Sequence, residues 1–308
     1  MKFDLSQFDA GFFLQNISYA CDDDDYRVGV SLPGDVYLGY VLAIILRTPF
    51  IGDVSDPIDQ IDSLPSPLFR AFEMLEWWIL ERCEVSFYVE SESYETAKQR
   101  GVTAVWAPNS VNYAEFAEPD DAVVTEARRI LIQEGVDLES NLAVYAGSLT
   151  TDVHLAEVVE AVPETEGWEL VLVGEDRGLH VESLTHRVDG VFFIGAVDHD
   201  IIPGLFACAA AGIALVDAEQ PLKLMEYGAA SLPVLACPGK LTKRFTERQM
   251  VFVEPLPSNI ANGLMQISQS PDDASARADR LRSYVEQYSW ADVASKYLTT
   301  IRTQVTTG

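Results

Sequence analysis

Pro221-Leu222-Lys223-Leu224-Met225-Glu226-Tyr227-Gly228-Ala229-Ala230-Ser231-Leu232-Pro233-Val234-Leu235-Ala236 reads as a helix followed by a short strand. Pro221 suits the first helical position, where a missing N–H costs nothing. Leu222, Met225 and Ala229 fall at i, i+3 and i+7 and form an apolar stripe for a core. Lys223, Glu226 and Ala230 share another face. Val234-Leu235-Ala236 has the character of a strand buried in a parallel sheet. Lys223 and Glu226 alone fit an i,i+3 surface pair worth about 0.2–0.5 kcal/mol. They also fit a binding site. A helix start carries partial positive charge and free N–H groups, so it receives phosphate. A lysine one turn in adds a full charge. A carboxylate on the same face accepts hydrogen bonds from a ribose diol, each worth about 1.5–3 kcal/mol because the acceptor is charged. A phosphate clamp beside a diol acceptor describes a nucleotide-sugar site.

Four further segments lie on either side of this one. They are Ala107-Pro108-Asn109-Ser110-Val111-Asn112-Tyr113-Ala114-Glu115-Phe116, Val144-Tyr145-Ala146-Gly147-Ser148-Leu149, Trp168-Glu169-Leu170-Val171-Leu172-Val173-Gly174 and Gln287-Tyr288-Ser289-Trp290. With the pattern P-x-K-x-x-E-Y-x-A-x-x-x-P-V they resemble, in order, the motifs of family 4-type glycosyltransferases. The resemblance runs from about residue 30 to about residue 305. It implies the GT-B fold, α/β with two Rossmann-like domains, and a C-terminal helix that crosses back onto the first domain. The expected division is residues 1–118 for an acceptor-side domain, 119–280 for a donor-binding domain and 281–308 for the returning helix. It also implies that Glu226 holds the ribose and Lys223 the diphosphate, with Gly147, Ser148, Glu219, Pro221 and Leu222 around them. Gly147 would let the backbone approach the phosphates. Asp53 and Asp56, leaving the C-terminal end of an early strand, would line the acceptor side.

The implied reaction moves a sugar from a nucleotide-sugar to a lipid-linked or polysaccharide acceptor. It would retain configuration and use no metal and no cofactor, the nucleotide-sugar being a substrate. The chain departs from the family at four points. Ser148 and Val153 stand where many relatives carry an arginine and a lysine for the diphosphate. Ala218 occupies the place of a first glutamate, with Glu219 one position off. Ser231 stands where a glycine often ends the helix, which disfavours a left-handed cap. The first domain is also abbreviated, with about 116 residues before the polar run Ala117-Glu118-Pro119-Asp120-Asp121. The alternative these departures suggest is a non-catalytic GT-B-like subunit that binds a partner glycosyltransferase.

Bulk properties narrow the partners. The 308 residues carry 48 acidic against 21 basic side chains, a formal charge of −27. Nucleic-acid binding needs a basic footprint, so that class is excluded. Attraction to an anionic membrane is excluded on the same ground. An acidic surface of this kind suits a high-salt, halophilic cytoplasm, where self-repulsion is screened. Cys21, Cys83, Cys208 and Cys237 show no CxxC spacing; Cys83, Cys208 and Cys237 sit in apolar contexts and fit inert core thiols, and a reducing cytoplasm suits the set. Met1-Lys2-Phe3-Asp4-Leu5-Ser6 is not a signal peptide. Val36 to Leu46, the longest apolar candidate, is too short to span a membrane. His154, His180, His186 and His199 stand singly, without zinc-ligand spacing. His154, seven residues past Gly147, is a weaker candidate to meet donor phosphate.

Strands alternating with helices predict a parallel sheet covered on both faces. In the first domain a strand is expected at Gly11–Gln15, a solvated loop at Asp22–Asp25, a turn at Pro33-Gly34, a helix over Asp35–Leu46 and another over 66–84. One helical stretch is expected over 272–304. Leaving the Val36–Leu46 and Trp77-Trp78 helices without cover predicts an exposed apolar patch, for a membrane or a partner transferase.

Overall fold

The computed structural model describes residues 27–30, residues 40–54 apart from 42, 46 and 48, and residues 66–185 and 188–306. The expected strand at 11–15, the Asp22–Asp25 loop, the Pro33-Gly34 turn and Asp56 lie outside the described residues. Two compact units divide the chain. One comprises Met1–Asn109 with Trp290–Gly308, the other Ser110–Ser289.

The first unit is built from β1 (Arg27–Val30), β2 (Phe50–Val54), α1 (Ser66–Leu80), β3 (Val85–Tyr88), α2 (Ser91–Gln99) and β4 (Ala104–Trp106). The four strands form one parallel sheet in the order β1-β2-β3-β4. Every residue of β2 and β3 is buried, as a strand covered on both faces requires. One cover is the C-terminal helix Trp290–Thr306. Its Val293 and Ile301 join Ile51, Val85, Phe87 and Ala107 in one cluster. The Tyr297 ring stacks on Phe87 at 3.7 Å between centroids. Lys296 Nζ donates to the Trp106 carbonyl at 2.6 Å.

The second unit contains α3 (Tyr113–Ala117), α4 (Asp121–Gln133), β5 (Asn141–Ala146), α5 (Leu155–Ala161), β6 (Trp168–Val173), α6 (Val181–Thr185), β7 (Val191–Gly195), α7 (Ile202–Ala207), β8 (Ala211–Ala214), α8 (Leu222–Ala229), β9 (Val234–Ala236), β10 (Val251–Phe252), α9 (Pro257–Gln269) and α10 (Pro271–Val285). Its six strands are parallel, in the order β10-β9-β8-β5-β6-β7. Period-two alternation splits the core into two layers. Leu142, Val144 and Ala146 of β5 face Ala127, Leu131, Leu205 and Leu224 from α4, α7 and α8. Ala143 and Tyr145 face Leu155, Val158, Ile260 and Leu264 from α5 and α9. Each fully buried leucine contributes about 1.5–3 kcal/mol.

The helical stretch expected over 272–304 is two helices. Ser289 lies extended in a parallel bridge with Val111, which interrupts the helix between Val285 and Trp290. The break carries the chain from one unit to the other.

Candidate functional site

From β5 the second sheet grows one way through β6 and β7, and the other way through β8, β9 and β10. The reversal lies between β5 and β8. In open α/β sheets ligands bind in the crevice outside the strand ends at such a point. β5 and β8 pair only through Ala143–Ala211 and Val144–Gly212. Beyond that pairing Tyr227 of α8 reaches in. Its hydroxyl lies 3.3 Å from Ala146 N, Val144 O and Ile213 O. Gly212 makes room, since a Cβ there would sit 2.7 Å from the Tyr227 ring. The glutamate–tyrosine pair of the helix motif therefore has a structural half. Tyr227 pins α8 across the split, and Glu226 beside it is presented to the crevice.

The turn after β5 supplies the opposite wall. Gly147 has φ +144°, a conformation that favours glycine. The Gly147 N–H is used by Val173 O at 3.0 Å and the Leu149 N–H by Glu175 O at 2.9 Å. Ser148 between them is exposed. Lys223, in the first turn of α8, places its ammonium against this turn. Nζ donates to the Tyr145 hydroxyl at 2.7 Å. A Cβ on Gly147 would lie 3.5 Å from Nζ. Burial lowers the Lys223 ammonium from 10.5 to about 8, against the opposing charges of Glu226 and Asp152. Glu226 is 8% exposed, and its Oε1 lies 3.2 Å from His199 Nε2.

Lys223 and Glu226 therefore do not pair with each other, as a surface i,i+3 pair would; each turns to a separate partner. The neighbouring loop is braced. Glu219, 4% exposed, forms an ion pair with Arg244. Gln220 Oε1 accepts from the Tyr284 hydroxyl at 3.1 Å. Asp217 Oδ1 accepts from the Lys240 N–H at 2.8 Å. These bonds fix the approach to α8 from the loop after β9 and from α10.

Pro221 stands just before the helix as its N-cap, not inside it, with ψ 143°. Leu222, the first helical residue, is half-buried beside it. Ser231 does adopt the left-handed cap, with φ 54°. The Leu232 N–H bonds Tyr227 O and the Ser231 N–H bonds Gly228 O, the two bonds of a Schellman end. Arg282 donates to Ser231 Oγ at 3.2 Å, which holds a serine where glycine would be easier. Asp53 lies in the first unit, 5% exposed, and shares a hydrogen bond with Tyr297. Burial, then the Asp53 charge, holds the Tyr297 phenol well above its usual range. His154 faces Glu157 at 3.6 Å. Sequence reasoning missed Tyr145 and His199, the two residues that hold the lysine and the glutamate. The one available signal for His199 was its place in the loop leaving β7.

Residues 140–270 match the family model described as glycosyl transferases group 1. No curated protein sequence matches the chain. Among solved structures, HepE from Anabaena in complex with UDP superposes with TM-score 0.74 at 14% identity, over 91% of this chain and 79% of that one. A sucrose-phosphate synthase from Thermosynechococcus elongatus gives 0.71 at 19%, over 89% and 72%. WaaG, a glycosyltransferase involved in lipopolysaccharide biosynthesis, gives 0.65 at 15%, over 91% and 87%. The fold is that of the GT-B glycosyltransferases, with two Rossmann-like units. Residues 140–270, all within the second unit, carry the match to the group 1 glycosyl transferases.

Proposed function

We propose that this chain is a glycosyltransferase that takes a sugar from a UDP-sugar and passes it to a lipid-linked or polysaccharide acceptor, with retention and without a metal. One observation carries the donor half. The Lys223 ammonium lies against the bare Gly147 turn, and Glu226 is presented less than a helical turn further on, at the point where the sheet order reverses. The helix start adds N–H groups with no helical partner. In this reading the bond from the anomeric carbon to the diphosphate oxygen breaks, the acceptor hydroxyl oxygen bonds that carbon, and the hydroxyl proton passes to the departing phosphate oxygen. Lys223 and the start of α8 stabilise the departing diphosphate, while Glu226 accepts from the ribose diol. Catalysis rests on positioning and charge stabilisation, with no protein nucleophile. Uracil is proposed because structurally similar HepE is seen with UDP and UDP-glucose.

Asp53 and Asp56 are proposed on the acceptor side. The first unit also exposes Val41, Ile44 and Ile45, and on α1 Met74, Leu75 and Trp78. This apolar surface supports contact with the bilayer holding the acceptor, or with a partner transferase. Calorimetric titration with UDP, GDP, ADP and dTDP tests the donor reading. UDP should bind most tightly, and Glu226→Ala should lose about 1.5–3 kcal/mol of that binding. Unchanged UDP binding by this variant removes Glu226 from the site. Donor turnover that requires a second transferase would favour the non-catalytic subunit.

A further inference from the structure

The Lys223 ammonium, the Tyr145 hydroxyl and the bare backbone of Gly147 meet at one point. Tyr145 is the last residue but one of β5 and is 1% exposed. Its hydroxyl accepts from Lys223 Nζ at 2.7 Å and donates to the Ser148 carbonyl at 2.8 Å. Nζ also lies 4.0 Å from the Tyr145 ring centroid, a distance at which the ring attracts a cation. A Cβ on Gly147 would meet Lys223 Cε, Nζ and the Tyr145 hydroxyl, all at 3.5 Å. From Ala146 to Val153 the chain has no lysine or arginine. The ammonium that lies against Gly147 is brought from α8.

A lysine head on a flexible stem has no fixed place of its own. Here a buried hydroxyl, itself oriented by a carbonyl of the turn, gives it one. An ammonium has three N–H donors, so one bond to Tyr145 leaves others for a ligand. The groups facing Lys223 are Tyr145 of β5, Asp152 of the Thr151–Val153 turn, and Glu226 of α8 with His199 behind it.

We propose that Tyr145 is a positioning residue for the donor diphosphate, its hydroxyl holding the Lys223 ammonium against the Gly147 turn before the donor arrives. This rests on the donor-site reading above. Tyr145→Phe tests it, since the ring and its packing are kept. Wild type, Tyr145→Phe, Lys223→Met and the double variant are titrated with UDP and with uridine. Tyr145→Phe should weaken UDP about tenfold and leave uridine unchanged. In the Lys223→Met background, Tyr145→Phe should add nothing, because the two act as one unit. Wild-type UDP affinity should fall as pH rises and Lys223 loses its proton. In Tyr145→Phe that fall should begin at lower pH, the cation having lost an acceptor. Equal losses for UDP and uridine, or additive losses in the double variant, would overturn the proposal. So would wild-type UDP affinity in Tyr145→Phe, with the Glu226→Ala result still standing for the donor site. A wild-type chain that binds none of the four nucleotides overturns the donor-site reading and this inference together.

Discussion

Replacing Lys223 by methionine should make the protein more stable at neutral pH while weakening its hold on a nucleoside diphosphate. Burial lowers the ammonium from 10.5 to about 8. At pH 7 the group is protonated in both the folded and the unfolded chain, so the fold bears the whole cost of the buried charge. Each pH unit of depression is worth about 1.4 kcal/mol, so the drop from 10.5 to about 8 sets an upper bound of about 3.5 kcal/mol. Methionine has a similar length and no charge. It forfeits the bond to Tyr145, worth about 1 kcal/mol, which leaves a net gain of at most about 2.5 kcal/mol. For a unit the size of Ser110–Ser289, which holds Lys223, that is a rise in Tm of at most roughly 10 °C. The sign of the pH dependence follows from proton counts. Between about pH 8 and 10.5 the unfolded chain holds a proton that the folded chain has released, so wild-type stability gains with pH across that window. The variant lacks this gain, and its advantage should shrink between pH 8 and 10.5. Scanning calorimetry of both proteins at pH 7 and pH 10 measures the difference directly. A variant that melts below wild type at pH 7, or an advantage that does not narrow, would refute the reasoning. An unchanged UDP affinity would refute the assignment of Lys223. Stability given up for a charge held ready is a common feature of binding sites.

Gly212→Ala should drive a methyl group into the Tyr227 ring, 2.7 Å from its proposed position, at a cost of about 1–3 kcal/mol. Because Tyr227 shares its helix with Lys223 and Glu226, UDP affinity should fall as well. Intact stability and affinity in this variant would show that α8 is not pinned at the strand split. Raising KCl from 0.1 M to 1 M shortens the screening length from about 10 Å to about 3 Å. With a formal charge of −27 the melting temperature should rise across that range. Association through the apolar side chains of the first unit should persist in the same salt, as read by sedimentation with and without detergent. Greatest stability at low ionic strength would count against the halophilic reading.

The parallel sheet was legible because its strands are buried on both faces and write themselves as apolar runs, such as Leu142–Ala146 and Leu170–Val173. Helix α8 was legible because its residues lie together in sequence. The partners that complete it were not. Tyr145 meets Lys223 across 78 positions and His199 meets Glu226 across 27, and local spacing carries no trace of either. The break at 286–289 was hidden for a related reason. Helical periodicity continues on both sides, and the extended conformation of Ser289 is set by pairing with Val111 far upstream. Ser231 shows the same override of local preference, a serine kept in a glycine conformation with an arginine from α10 on its hydroxyl.

The helix Trp290–Thr306 belongs to the unit that begins the chain, while the residues between form the other unit. On the ribosome this sets a timetable. The second unit, Ser110–Ser289, is fully synthesised before the first receives the helix that supplies Val293, Tyr297 and Ile301. Strands β2 and β3 must then wait with one apolar face uncovered, a state exposed to aggregation and to chaperones. The second unit can be cut out as one continuous piece. The other half can be made alone only by splicing its final helix onto Asn109, which makes the last helix the step that completes the fold.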